Sequence, residues 1–113
     1  MPRLNPDSSA AEVEALMAQA AKASKLLRSL SHETRLLILC LLTERDEMSV
    51  SEIEEIVKLP QATVSQQLAR LRLEKLVLTR REGRIIYYRI ADKDVINIIE
   101  SLYELFCKPV RNP

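Results

Sequence analysis

Gly83 is the chain's only glycine in 113 residues, and it sits between two stretches of β-branched, aromatic and arginine residues. Glycine supplies the left-handed backbone that tight turns need, so a chain with one glycine has few sharp turns to make. Five prolines are present, and three of them, Pro2, Pro6 and Pro113, lie near the ends. The expected fold is therefore mainly α with short connections, carrying one β-hairpin at Gly83.

The length allows one domain with a modest core. Apolar residues make up 47 % and charged residues 29 %, as in ordinary folded chains, while aromatic residues make up 4 % with no Trp. A core of Leu and Ile this small gains from burying further surface in a dimer. The start of the sequence lacks the basic-then-apolar pattern of a leader, and the longest apolar run, Leu36 to Leu42, is far short of the roughly 20 residues that span a bilayer. A cytoplasmic location is expected. There thiols stay reduced, so the two cysteines, Cys40 and Cys107, are either inert core residues or a redox switch rather than a constitutive disulfide.

Residues 1–9 read as a disordered polar tail, 10–108 as the folded domain and 109–113 as a second short tail. Ala10 to Arg28 places Val13, Leu16, Met17, Ala20 and Ala23 at helical spacing, with Ser8 or Ser9 as cap. Ser31 is expected to cap a second helix that is apolar nearly all round and hence buried. Ser49 and Glu52 have the spacing of a capping box for a short third helix with Ile53, Ile56, Val57 and Leu59 inward. Pro60 is suited to the first position of a fourth helix, from about Gln61 to Glu74, with Val64, Leu68, Leu71 and Leu73 inward. From Val77 to Ile90 the period becomes strand-like, with a turn at Glu82-Gly83. Asp92 caps a last helix, Lys93 to Cys107, whose stripe is Val95, Ile96, Ile99, Leu102, Tyr103 and Phe106.

The net charge is +1, yet its distribution is uneven. Between Gln61 and Ala91 stand Arg70, Arg72, Lys75, Arg80, Arg81, Arg84 and Arg89 against Glu74 and Glu82. A basic stripe on a nearly neutral chain suits the phosphates of nucleic acid. The fourth helix opens with Gln61, Thr63, Ser65, Gln66 and Gln67 on its outward side, side chains that reach base edges and phosphates in a major groove. The hairpin brings Arg80, Arg81 and Arg84 beside it. Helices followed by such a hairpin form a winged helix-turn-helix, here with about five helices. The partner expected is double-stranded DNA. A nucleophile with a nearby base, a Gly-rich phosphate loop and a paired-carboxylate cleft are all missing from the sequence, so no enzymatic activity and no cofactor are expected. A thiol oxidoreductase is disfavoured by the lack of Cys-x-x-Cys, and a pure dimerisation or interaction module that never touches DNA is the rival that a gel shift against the DNA upstream of its own gene discriminates.

From Leu27 to Leu105 the chain resembles the ArsR family of bacterial repressors. The carrying segments are Leu30-Ser31-His32-Glu33-Thr34-Arg35 with the apolar run after it, Leu59 to Leu71 around Thr63-Val64-Ser65-Gln66-Gln67, and Leu76 to Ile90. The resemblance implies a homodimer through the first and last helices, a near-palindromic operator and an effector that lowers DNA affinity. Many members bind metal through Cys-Val-Cys at the start of the third helix. Here that position reads Ser49-Val50-Ser51, and hydroxyls are poor ligands for soft metals. A second family site needs Asp, His and Glu at set spacing. The single His32, at the start of the second helix, is read as a surface or capping residue, and Asp92 and Asp94 as caps. No metal site is expected. One cysteine in the second helix and one in the last is the arrangement of the persulfide-sensing SqrR/BigR branch, in which a disulfide or polysulfide bridge releases DNA. The resemblance therefore assigns redox sensing to Cys40 and Cys107 and reactive sulfur species as effector, the alternatives being another effector, a metal ion or general oxidant, with the cysteines structural.

Overall fold

The computed structural model describes residues 4–111 and divides into two units, Met1–Ser31 and His32–Pro113. The first unit is helix α1, Ala10–Leu30. Ser9 caps it, its hydroxyl accepting from the Glu12 N–H at 3.1 Å. Of the expected N-terminal tail, residues 1–3 lie outside the described residues, and Asn5 to Ser8 close a turn in which the Asn5 side chain accepts from the Asp7 N–H at 2.8 Å.

The second unit is built around α2, Glu33–Arg45. Its cap is His32, which makes no side-chain hydrogen bond, and not Ser31, whose N–H instead closes α1 on Arg28. Ile38, Leu39 and Leu42 are fully buried. Leu37 is 47 % exposed, so the helix is not buried all round as its composition suggested. α2 ends at Asp46, held at φ 67° and ψ −47°, with the Glu47 N–H donating to the Arg45 carbonyl at 2.8 Å. That is the rare γ-turn geometry, a strained way to turn a chain sharply without glycine.

The turn delivers a two-residue strand, β1 (Met48–Ser49), too short to leave a strand pattern in the sequence. Ser49 then caps α3, Val50–Val57, through the expected reciprocal box: its hydroxyl accepts from Glu52 N–H, and the Glu52 carboxylate from Ser49 N–H. α4, Gln61–Leu73, comes after a three-residue connection. Pro60 is its N-cap and not its first helical residue. Val64, Leu68 and Leu71 form its buried face, whereas Leu73, expected inward, is 76 % exposed because it lies about 200° around the helix from Leu71. A Schellman motif ends α4: Lys75 sits at φ 62°, its N–H donates to Arg72, and Leu76 N–H donates to Leu71.

The chain then enters β2 (Val77–Glu82) and returns as β3 (Ile85–Ile90), giving an antiparallel sheet in the order β1-β3-β2. Pairing runs from Val77 with Ile90 to Glu82 with Ile85, so the turn's central pair is Gly83-Arg84, one residue later than expected. Gly83 takes φ 63° at the position where a two-residue hairpin needs it. Asp92 caps α5, Lys93–Leu102, as expected. The last helix is not regular to its end. A π-helical turn, Tyr103–Cys107, intervenes before a final turn, α6 (Lys108–Arg111). Each π turn inserts a residue and shifts the phase of the residues beyond it. Phe106, expected on the inward stripe with Val95 and Ile99, is therefore 69 % exposed. The expected C-terminal tail continues helical to Arg111, and 112–113 lie outside the described residues. No helix among the described residues is long and apolar enough to cross a membrane.

Candidate functional site

α3 and α4 pack on one another across the Lys58-Leu59-Pro60 connection, forming the helix-turn-helix, and α4 also packs against β2. At the front of α4, Gln61 and Gln66 are exposed and Thr63 and Ser65 half-buried. Gln67 is placed differently. Its side-chain carbonyl accepts a hydrogen bond from Arg35 Nε on α2 at 3.2 Å. Arg35 is only 13 % exposed at its side chain, and its Nη1 lies 4.0 Å from Glu74 Oε2 at the C-terminal end of the same α4 face. Glu74 Oε1 accepts from Arg70, while Oε2 is buried without a hydrogen bond. Arg35 thus ties the central helix to the middle and to the C-terminal end of the helix that carries the polar tips. Sequence reasoning gives Arg35 no such role, because a contact across 32 positions leaves no local signal.

The three hairpin arginines expected to meet DNA, Arg80, Arg81 and Arg84, also differ. Arg80 is bound in place: it pairs with Glu47 at 2.6 Å and Glu82 at 2.9 Å, and its guanidinium lies 4.6 Å from the centre of the Tyr87 ring. The Glu47 carboxyl is held below its ordinary range by the hydrogen bond from Arg80. Arg80 therefore locks the middle of the hairpin to the turn after α2, and its charge is already met. Arg81 and Arg84 are exposed and make no ion pair among the described residues. They are available cations of the hairpin, as is Arg89 on β3.

A second constellation lies where α2 meets the π turn. Cys40 and Cys107 are both free and both half-buried. The Cys107 thiol lies close enough to Cys40 to act on its ionisation. Burial first, then Cys107, then the Glu44 carboxylate push the Cys40 thiol up to about 11. Beside Cys40 opens a cavity of about 790 Å³. Arg111 reaches across from the last turn, donating from Nη1 to the Glu44 carboxylate at 3.3 Å and to the Tyr103 hydroxyl at 3.1 Å. Lys108 pairs with Glu104 at 3.3 Å. Among the described residues no three His, Cys, Asp or Glu side chains are grouped to hold a metal ion.

Residues 32–78 match the profile described as "Bacterial regulatory protein, arsR family". The chain is similar to the biofilm growth-associated repressor of Agrobacterium fabrum, with 41 % identity over 98 residues, covering 87 % of this chain and 83 % of that one. Among solved structures it is similar to reduced HlyU from Vibrio cholerae, at TM-score 0.77 and 38 % identity over 83 % of this chain and 98 % of the other. It is also similar to the transcriptional repressor BigR from Xylella fastidiosa, at TM-score 0.76 and 38 % identity over 85 % and 94 % of the two chains. The winged helix-turn-helix architecture and these relatives agree, and the chain is a DNA-binding transcriptional regulator of the ArsR family.

Proposed function

We propose that this regulator is a homodimeric repressor that leaves its operator when Cys40 and Cys107 become bridged by a disulfide or polysulfide, so that it senses reactive sulfur. The observation that carries the reading is the closeness of the two thiols, brought together from distant parts of the chain on α2 and the π turn so that Cys107 acts on Cys40. Two inert core cysteines have no need to meet. The reading is further supported by the likeness to BigR and to a HlyU structure described as reduced.

DNA binding would fall to two sets of residues. Gln61, Thr63, Ser65 and Gln66 present polar tips for base edges and phosphates at the front of α4, with Gln67 positioned by Arg35 and joining them when it lets go. Arg81 and Arg84 supply phosphate contacts, and Arg80 holds the hairpin in register for them. Homodimerisation is supported by apolar surface left open on each of the two helices concerned: Val13, Met17 and Leu27 on α1, and Leu105, Phe106 and Val110 around the π turn. A two-fold dimer would set its reading helices roughly 34 Å apart, one turn of DNA.

Sensing takes two displacements at sulfur. The Cys107 thiolate attacks the sulfane sulfur of a hydropersulfide R–S–SH, and the thiolate R–S⁻ leaves. Cys40, the poorer attacking group at neutral pH, then attacks the Cys107 sulfur and expels hydrosulfide. Two protein thiols are oxidised, the sulfane sulfur departs as sulfide, and a second donor equivalent is needed for a bridge that keeps an extra sulfur. The bridge would fasten α2 to the π turn, and α2 carries Arg35, which holds α4. A coupling of about 1–3 kcal/mol, typical of allostery, corresponds to an operator affinity change of about 5- to 150-fold.

The test is operator binding by fluorescence anisotropy before and after treatment with an organic hydropersulfide. Cys40→Ser and Cys107→Ser are each expected to bind operator when reduced and to show no release on treatment. Release that persists in both variants defeats the sulfur reading, and mass spectrometry then shows whether a metal ion or another oxidant is responsible.

A further inference from the structure

We propose that the cavity beside Cys40 is the docking recess for the effector, and that its carboxylates select neutral or cationic organic hydropersulfides over anionic ones. The inference rests on the thiol-sensing reading and adds the chemical class of donor.

Cys40 forms part of the cavity wall, and Cys107, the first thiol to attack, neighbours Cys40. At about 790 Å³ it is roomy enough for a small organic molecule. Its charged walls are Glu44, Glu100, Glu104 and Arg111, three carboxylates against one guanidinium. That guanidinium is already committed to Glu44 and to the Tyr103 hydroxyl. Lys108 answers Glu104, and Glu100 has no ion-pair partner among the described residues. An entering anion therefore meets negative charge with no unpaired cation to receive it. A cationic amine finds Glu100 available.

The donor's own chemistry points the same way. A hydropersulfide is electrophilic at sulfur in its protonated form, whereas its anion is a nucleophile. Neighbouring negative charge disfavours ionisation, so carboxylates around the recess keep a bound hydropersulfide protonated and reactive. The same field also opposes thiolate formation at Cys40, consistent with Glu44 contributing to the raised thiol there. The recess thus favours an entering group that is uncharged or positive.

The experiment uses the reduced full-length protein and three hydropersulfides with the same sulfur chemistry and different tails: those of cysteamine, 2-mercaptoethanol and 3-mercaptopropionate. Rates of bridge formation are read by intact mass and divided by each donor's rate with a simple model thiol. The expected order is cysteamine, then mercaptoethanol, then mercaptopropionate, with roughly a tenfold span at low salt that narrows as salt rises. The double change Glu100→Gln with Glu104→Gln is expected to collapse that span, and Glu54→Gln on α3, which removes the same type of charge elsewhere, is expected to keep it. Operator binding by the reduced variants checks that they are folded. Equal normalised rates for the three donors, or an order unchanged in the double variant, overturn the selectivity. No bridge with any donor overturns the thiol-sensing reading itself, and the two failures are therefore distinct.

Discussion

The half of the molecule proposed to read DNA and the half proposed to sense sulfur are made in opposite ways. α4 and the hairpin are built from consecutive residues whose ends are fixed locally, by Pro60, the Schellman turn at Lys75 and Gly83. The thiol pair is assembled from α2 and an irregular turn near the end of the chain, and Arg111 straps the last turn back onto Glu44. A surface that must match duplex DNA needs a pre-organised shape, since ordering it at the moment of binding costs affinity. A sensor needs an element with two arrangements, and a π turn is a place where a helix can change its phase. The two halves share α2, with Cys40 and Arg35 about 140° apart around its axis.

That shared helix offers the strongest test of the contrast. Leu39→Ala, at a fully buried site on α2, is expected to destabilise the fold by about 2–5 kcal/mol in urea unfolding, with both halves melting together. Separate transitions for DNA binding and thiol reactivity would rule out a common lever. Arg35→Ala strips the donor from Gln67 and leaves the Glu74 carboxylate with Arg70 as its ion-pair partner. A loss of about 1–3 kcal/mol is expected, together with a smaller difference in operator affinity between reduced and bridged protein. If that difference is fully retained, coupling runs by another route.

Within the reading half, Thr63→Ala or Gln66→Ala is expected to cost about 1–3 kcal/mol against the specific operator and little against random DNA. An equal loss on both sequences would remove α4 as reader. Arg81→Ala and Arg84→Ala should each lower the slope of log affinity against log salt by about one. Arg80→Ala should lower it less, since Glu47 and Glu82 already answer its charge. A common slope change for all three arginines would show that Arg80 releases its partners on DNA.

The smallest effect concerns pH and belongs to the sensing half. The Cys40 thiol sits at about 11 in the folded chain against an ordinary value of 9.0, so between these values the unfolded chain has lost the proton that the folded chain keeps. Stability of the reduced protein therefore falls as pH rises from about 9 towards 11, and Cys40→Ser should flatten that part of the profile in thermal melts. A profile identical in the variant would place the titration elsewhere.

Much of this architecture is written locally in the chain. The Ser49–Glu52 box, the Asp92 cap, the helical faces at Val64, Leu68 and Leu71, and the hairpin around Gly83 all stem from side-chain periodicity and capping chemistry between residues a few positions apart. Local patterns mislead where packing has the deciding voice. β1 is two residues long and exists only because β3 lies beside it. Apolar character alone points Leu73 and Phe106 inward, and helix phase turns them out.

The order of elements, the polar front of α4, the basic hairpin and the presence of two thiols are all legible in the bare chain, because each is a property of neighbouring residues. Four things are not: that Cys40 meets Cys107, that Arg80 is spent on Glu47 while Arg81 and Arg84 stay open, that Arg35 grips Gln67, and that a carboxylate-lined recess adjoins the thiols. Those are contacts between side chains far apart along the chain, and only the packing of helices around α2 sets their distances.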